Sequence, residues 1–158
     1  MRVGYDSTTE RELFILEIPD AMKLPEICLS TPRFVCLLLW NAEKTSDKML
    51  IDVANWLLNY GAAYLCCWGN DCERVHDTID MVDISRNPSC DQVVMTTWHR
   101  NELLDDAIYF ALDIAWPDKG YSDGCGSVLA VCIDNAEIAE KVRAAFVDPH
   151  SFRGRMCP

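Results

Sequence analysis

The sequence contains no uninterrupted run of eighteen apolar residues, so no stretch of it reads as a helix long enough to cross a bilayer. Its opening residues, Met1-Arg2-Val3-Gly4-Tyr5-Asp6, lack the basic-then-apolar layout of a secretory leader. The expectation is a cytoplasmic protein with no membrane partner. Neither G-x-G-x-x-G nor G-x-x-x-x-G-K-[ST] occurs, which removes the usual backbone cradles for dinucleotides and nucleoside triphosphates. G-x-S-x-G is also absent, and Ser127, which follows Gly124 and Gly126, leads into a strand instead of out of one, so no hydrolase elbow is expected. No two cysteines stand at C-x-x-C spacing, and zinc-ribbon and thioredoxin-type readings lose their main support. No cofactor and no metal are expected.

Bases are scarce. Lys and Arg number 14 against 25 Asp and Glu, a net charge of -11, so repulsion from phosphate backbones argues against a nucleic-acid partner. The excess is concentrated between Asp71 and Asp123, where twelve acids face four bases for a net of -8. Cysteine, by contrast, is plentiful at nine residues, but the number is odd and Cys36, Cys66, Cys67 and Cys132 sit inside apolar runs. These read as reduced thiols.

A chain of 158 residues, half of them apolar, can bury one core but not two of ordinary size. From Phe34 onward, short apolar runs alternate four times with segments of helical periodicity, the pattern of βα units on a parallel sheet. The runs are 34–40, 63–68, 92–98 and 128–133. The first helix, from about Ser46 to Tyr60, buries Leu50, Val53, Ala54 and Leu57. The second buries Val75, Ile79 and Val82, with Asn70 and Glu73 at capping-box spacing. The third, capped by Asn101, buries Leu104, Ala107, Ile108, Ala111 and Ile114 and stops before Pro117. The fourth starts at Asp134 and Glu137, again at capping-box spacing, and buries Ile138, Val142 and Ala145.

The expected fold is therefore α/β: a single three-layer domain, Rossmann-like or flavodoxin-like, with a mostly parallel sheet of four or five strands. Residues 1–33 read as an N-terminal extension holding one further strand near Glu12–Ile18, 34–146 as the α/β domain, and 147–158 as a flexible C-terminal tail. Loop 117–126, with three glycines, reads as mobile.

Ligands of open parallel sheets bind beyond the carboxyl ends of the strands. Three of the four runs end on tryptophan, giving a candidate ligand edge of Trp40, Trp68, Asn70, Trp98, His99, Arg100 and Asp134. A nucleophile there would be Cys72 in the first turn of the second helix with His99 as base, although Asp71, Glu73 and Asp77 favour its protonated thiol. His76, four residues after Cys72, is the one candidate for a metal pair, and two ligands do not make a site.

Two functions stay open. The first is an acidic protein-binding module that captures or neutralises a basic protein, in the manner of an immunity protein, antitoxin or inhibitor, through Glu73, Asp77, Asp80, Asp105 and Asp106. The second is a small enzyme or ligand sensor using the tryptophan edge. Binding is favoured over catalysis because no catalytic device is recognisable. A homodimer through Trp56, Tyr60, Tyr109 or Phe110 is a further expectation.

Overall fold

The protein is described by a computed structural model covering residues 1–86 and 92–156. Six strands and five helices follow the chain as β1 (Arg2–Asp6), β2 (Arg11–Ile18), β3 (Arg33–Trp40), α1 (Asp47–Asn59), β4 (Ala62–Trp68), α2 (Cys72–Arg86), β5 (Met95–Trp98), α3 (Leu104–Tyr109), β6 (Cys125–Ile133), α4 (Ala136–Val147) and α5 (Pro149–Met156). A π-helical segment, Phe110–Ile114, continues α3.

The strands form one sheet in the order β1-β2-β6-β3-β4-β5. The five from β2 to β5 run parallel, and β1 alone is antiparallel, folded back on β2. The sheet thus has six strands where four or five were expected. The extra one is β1, five residues too polar and too near the terminus to carry a pattern of its own. Nor is 1–33 an appendage, since β2 is in register with β6 from Glu12↔Ser127 to Ile18↔Ile133.

Strands buried on both faces carry apolar residues at every position, which is why 34–40 and 128–133 read as continuous runs. Alternate side chains feed two cores. Phe34, Cys36, Leu38 and Trp40 meet α1 and α2, while Val35, Leu37 and Leu39 meet α3, α4 and α5 on the opposite face. The connections fit a single handedness: the chain moves outward from β3 through α1 and α2 to β5 on one face, then returns past β4 and β3 to β6 on the other. The irregular 19–32 segment lies with α1 and α2, packing Ala21, Leu24, Ile27 and Leu29 there.

Several boundaries differ from expectation for identifiable reasons. α4 is capped by Asn135, whose Oδ1 accepts from Ile138 N at 3.1 Å, one residue later than the Asp134 expected. Asp134 instead takes a left-handed φ of 52° and donates its N–H to Ile18 O at the end of β2. Asn70 spends its backbone on the neighbouring loop, donating N–H to Asn41 Oδ1 and accepting from Ala42 N, and α2 begins at Cys72, two residues after it. The third helix starts at Leu104, not at Asn101, and its π turn, closed by Ala115 N donating to Phe110 O, rotates the following residues out of phase. Leu112 is therefore buried and Ile114 exposed, the reverse of the helical pattern.

The stretch expected to be a flexible tail contains α5. Its Phe152 is buried in the second core, and Arg153 donates from Nη1 and Nη2 to Asp6 at 3.0 and 2.6 Å and from Nε to Asp113 at 2.9 Å. Beside this network, buried Arg11 forks both Nη atoms onto Ala115 O at 3.1 Å, beneath the Trp116 ring. The π turn leaves the helix-ending carbonyl for that fork. Among the described residues, no helix is long and apolar enough to cross a membrane.

Candidate functional site

The carboxyl ends of β3, β4, β5 and β6 bring Trp40, Trp68, Trp98 and Asp134 to one rim of the sheet. The backbone there is unusual: Asp71, Asn101 and Asp134 hold φ values of 64°, 60° and 52°, a conformation short polar side chains tolerate best. Gly69, at φ 121°, passes so close to β3 that a Cβ would lie 2.4 Å from Trp40 O. Only glycine permits that approach.

Among the clefts at this rim, two hold most of the expected edge residues. One, of about 350 Å³, lies over the ends of β4 and β5 and includes Trp68, Asn70, His99, Arg100 and Glu102. The other, of about 630 Å³, lies between the ends of β3 and β6, where successive connections leave toward opposite faces. Trp40, Asn70 and Asp134 line it, together with Lys44 and Met49. The seven edge residues are therefore divided. Trp98 lines neither cleft and packs on His76 of α2; alternation turns Trp40 and Trp98 toward the α1/α2 layer and Trp68 toward the other. Trp40 is itself core, and Trp68 Nε1 donates to Glu102 O at 3.1 Å.

The thiol–imidazole pair does not form. Cys72 is buried among α1/α2-layer residues, and burial pushes its thiol up. The His99 imidazole turns the other way, its Nδ1 2.7 Å from Glu102 Oε2, its Nε2 3.2 Å from Thr97 Oγ1, and its ring edge-on to Phe110. His76 is 8 % exposed. Its ring packs edge-on to Trp98 at 4.6 Å, and Asp77 Oδ1 lies 3.0 Å from its Nδ1. The buried face of α2 takes in Cys72, His76 and Thr78 beside the expected Val75-Ile79-Val82 stripe.

The seven described cysteines are free thiols. Burial pushes Cys66 and Cys132 up to about 12 and also raises Cys36 and Cys67 well above the ordinary thiol value, as expected of thiols that pack and do not react. Cys90 and Cys157 lie outside the described residues.

The acidic residues expected to bind a partner flank β5, one of the two edge strands. On α2, Glu73, Asp77, Asp80 and Ile84 follow one another at helical spacing along one stripe. Asp80 is tied to the strand by Thr96 Oγ1, and Asp83 accepts from Val94 N at 3.3 Å, with burial raising its carboxyl. Glu73 receives Arg100 Nη1 at 3.2 Å. Asp105 and Asp106 belong to the opposite layer, in the first turn of α3 past the end of β5, with no ion pair among the described residues. The five predicted residues thus stand in two groups, on either side of one strand. Between them are exposed apolar residues, Met95 at 40 %, Trp98 at 46 % and Leu103 at 73 %.

Arg74 had drawn no attention in the sequence. Its guanidinium donates to Asp71 and Asp47 and to the carbonyls of Ala42 and Thr45, fastening the β3–α1 loop to α2. Asp71 and Asp47 hold it above its ordinary value, outweighing desolvation. A base three residues after an acid was the available signal, and the long-range half of the cluster had none.

The aromatic residues expected to mediate self-association all make contacts within the chain, and Tyr60 keeps 37 % of its surface exposed. Trp56 is buried and donates Nε1 to Pro25 O at 2.8 Å, with Tyr60 edge-on to it, while Tyr109 and Phe110 pack against the second core. Residues 13–149 match the profile of a family described as Domain of unknown function (DUF7684). No curated protein and no solved structure matches the chain.

Proposed function

The chain belongs to the DUF7684 family, and we propose that it is an acidic protein-binding module that captures a basic protein, as an immunity protein, antitoxin or inhibitor does. The observation that carries this reading is the arrangement around β5: acidic residues in both helical layers, with exposed Met95, Trp98 and Leu103 between them. Interfaces combine an apolar centre with a polar rim, and complementary charge raises association rates and selects the partner. The free thiols fit a reducing, cytoplasmic setting. Helices on both faces of the largely parallel sheet fit a Rossmann-like reading of the fold.

The test uses the immobilised chain as bait in a lysate of its native host, beside a variant carrying Glu73→Lys, Asp77→Lys, Asp105→Lys and Asp106→Lys. Asp80 is left intact because it holds Thr96. A basic protein retained by the wild type should bind the variant at least tenfold more weakly, with a flatter salt dependence. Equal retention by both rejects the proposal.

A second reading draws on the cleft of about 630 Å³, a volume suited to a small molecule, in which Lys44 and Asp134 have no side-chain partner among the described residues. Ligand entry there would change the fluorescence of Trp40 and raise the melting temperature. A metabolite panel producing neither change sets this reading aside.

A further inference from the structure

The geometry points to a specific mode of capture that rests on the proposed function: an extended segment of the basic partner adds to the sheet as a seventh strand alongside β5. The strand is paired on one side only, with β4, in the register Tyr64↔Met95 to Cys67↔Trp98. His99 N donates to Cys67 O at 2.9 Å, so the alternation of a parallel ladder turns the N–H and C=O groups of Thr96 and Trp98 away from β4. Among the described residues, no loop or side chain hydrogen-bonds those outward groups. A row of unmatched donors and acceptors at a sheet edge is a template for another strand, and natural edges are commonly blunted by proline, lysine or a covering element. β5, Met-Thr-Thr-Trp, carries neither proline nor lysine, and its shortness, four residues, confines the addition to the outward groups of Thr96 and Trp98.

The surroundings select the occupant. An added strand projects alternate side chains to opposite faces, and on one face it meets the α2 stripe of Glu73, Asp77 and Asp80. Lysine or arginine at every second position would find those carboxylates, while main-chain hydrogen bonds to Thr96 and Trp98 supply sequence-independent affinity. The exposed ring of Trp98, braced by His76, offers apolar contact at the same place. A second copy of this chain is the poorer occupant, because pairing β5 with β5 would bring two acidic stripes together on molecules of charge -11.

The probe is a synthetic peptide of nine residues alternating lysine and valine, compared with its fully N-methylated counterpart of equal charge. Binding is measured by fluorescence anisotropy at low salt, and amide exchange of Thr96 and Trp98 by NMR. The expected result is at least tenfold tighter binding of the unmethylated peptide, with slowed exchange of both amides. Equal binding of the two peptides with unchanged exchange overturns strand addition, and leaves capture by charge to be decided by the four-site lysine variant. Absence of binding by either peptide also overturns it.

Discussion

Asp6 and Arg153, 147 positions apart in the chain, meet in a bidentate pair that is closed on its other side by Asp113. Burial alone would raise the Asp6 carboxyl, but Arg153, Thr9 and Thr8 together hold it below its ordinary 3.8. A depressed carboxyl stabilises the fold above its unfolded value and loses that contribution as the pH falls through the folded one. Arg153→Ala should cost about 3–5 kcal/mol at neutral pH, because it strands two carboxylates of which Asp6 has no exit to water. The stability gap between wild type and Asp6→Asn should shrink as denaturant titrations are carried below pH 4. A gap that stays constant with pH would remove charge from the account. None of this network was readable in the sequence, where each member is an unremarkable polar residue without a periodic neighbour.

At the scale of elements, the helices and strands from β3 to α4 were legible because burial imposes a period, and the period survives as a pattern of apolar positions. The legible pattern failed where hydrogen bonding departed from the regular ladder. Five residues of π-helix shifted the buried face from Ile114 to Leu112, and a left-handed Asp134 moved the cap of α4 to Asn135. The carboxyl rim was likewise placed correctly but misread in detail, since which layer each tryptophan faces depends on strand parity at the last residue. Gly69 belongs to the same scale, as the point where two strand exits nearly touch. Gly69→Ala should lower stability by about 1–3 kcal/mol in chemical denaturation, as the left-handed φ and the contact with Trp40 O both resist a Cβ. An unaffected midpoint would mean the β3 and β4 exits separate freely.

For the molecule as a whole, length and composition led to one core, whereas the sheet separates two, one on each face, and the acidic excess was legible while its position in the fold was not. Strand order was not legible, because a pattern of buried runs says that strands are central without saying which are neighbours. The C-terminal segment was misjudged for a related reason: glycine, proline and two arginines look like a tail unless the buried partners of Phe152 and Arg153 are known. Deleting residues 148–158 should lower the melting temperature by more than about 10 °C, as it uncovers the second core and frees Asp6 and Asp113. A melt unchanged by the deletion would show that α5 contributes nothing to the fold.

The strand that joins the two halves of the sheet, β6 between β2 and β3, is also the last of the six to be synthesised. Until residues 125–133 leave the ribosome, β2 has only the short β1 beside it, and the inner edge of β3 is bare. The segment from β1 to α3 must therefore wait for one late insertion that closes both seams at once. Nascent chains arrested short of that point should be the species that chaperones hold and proteases clear, whatever the finished molecule goes on to bind.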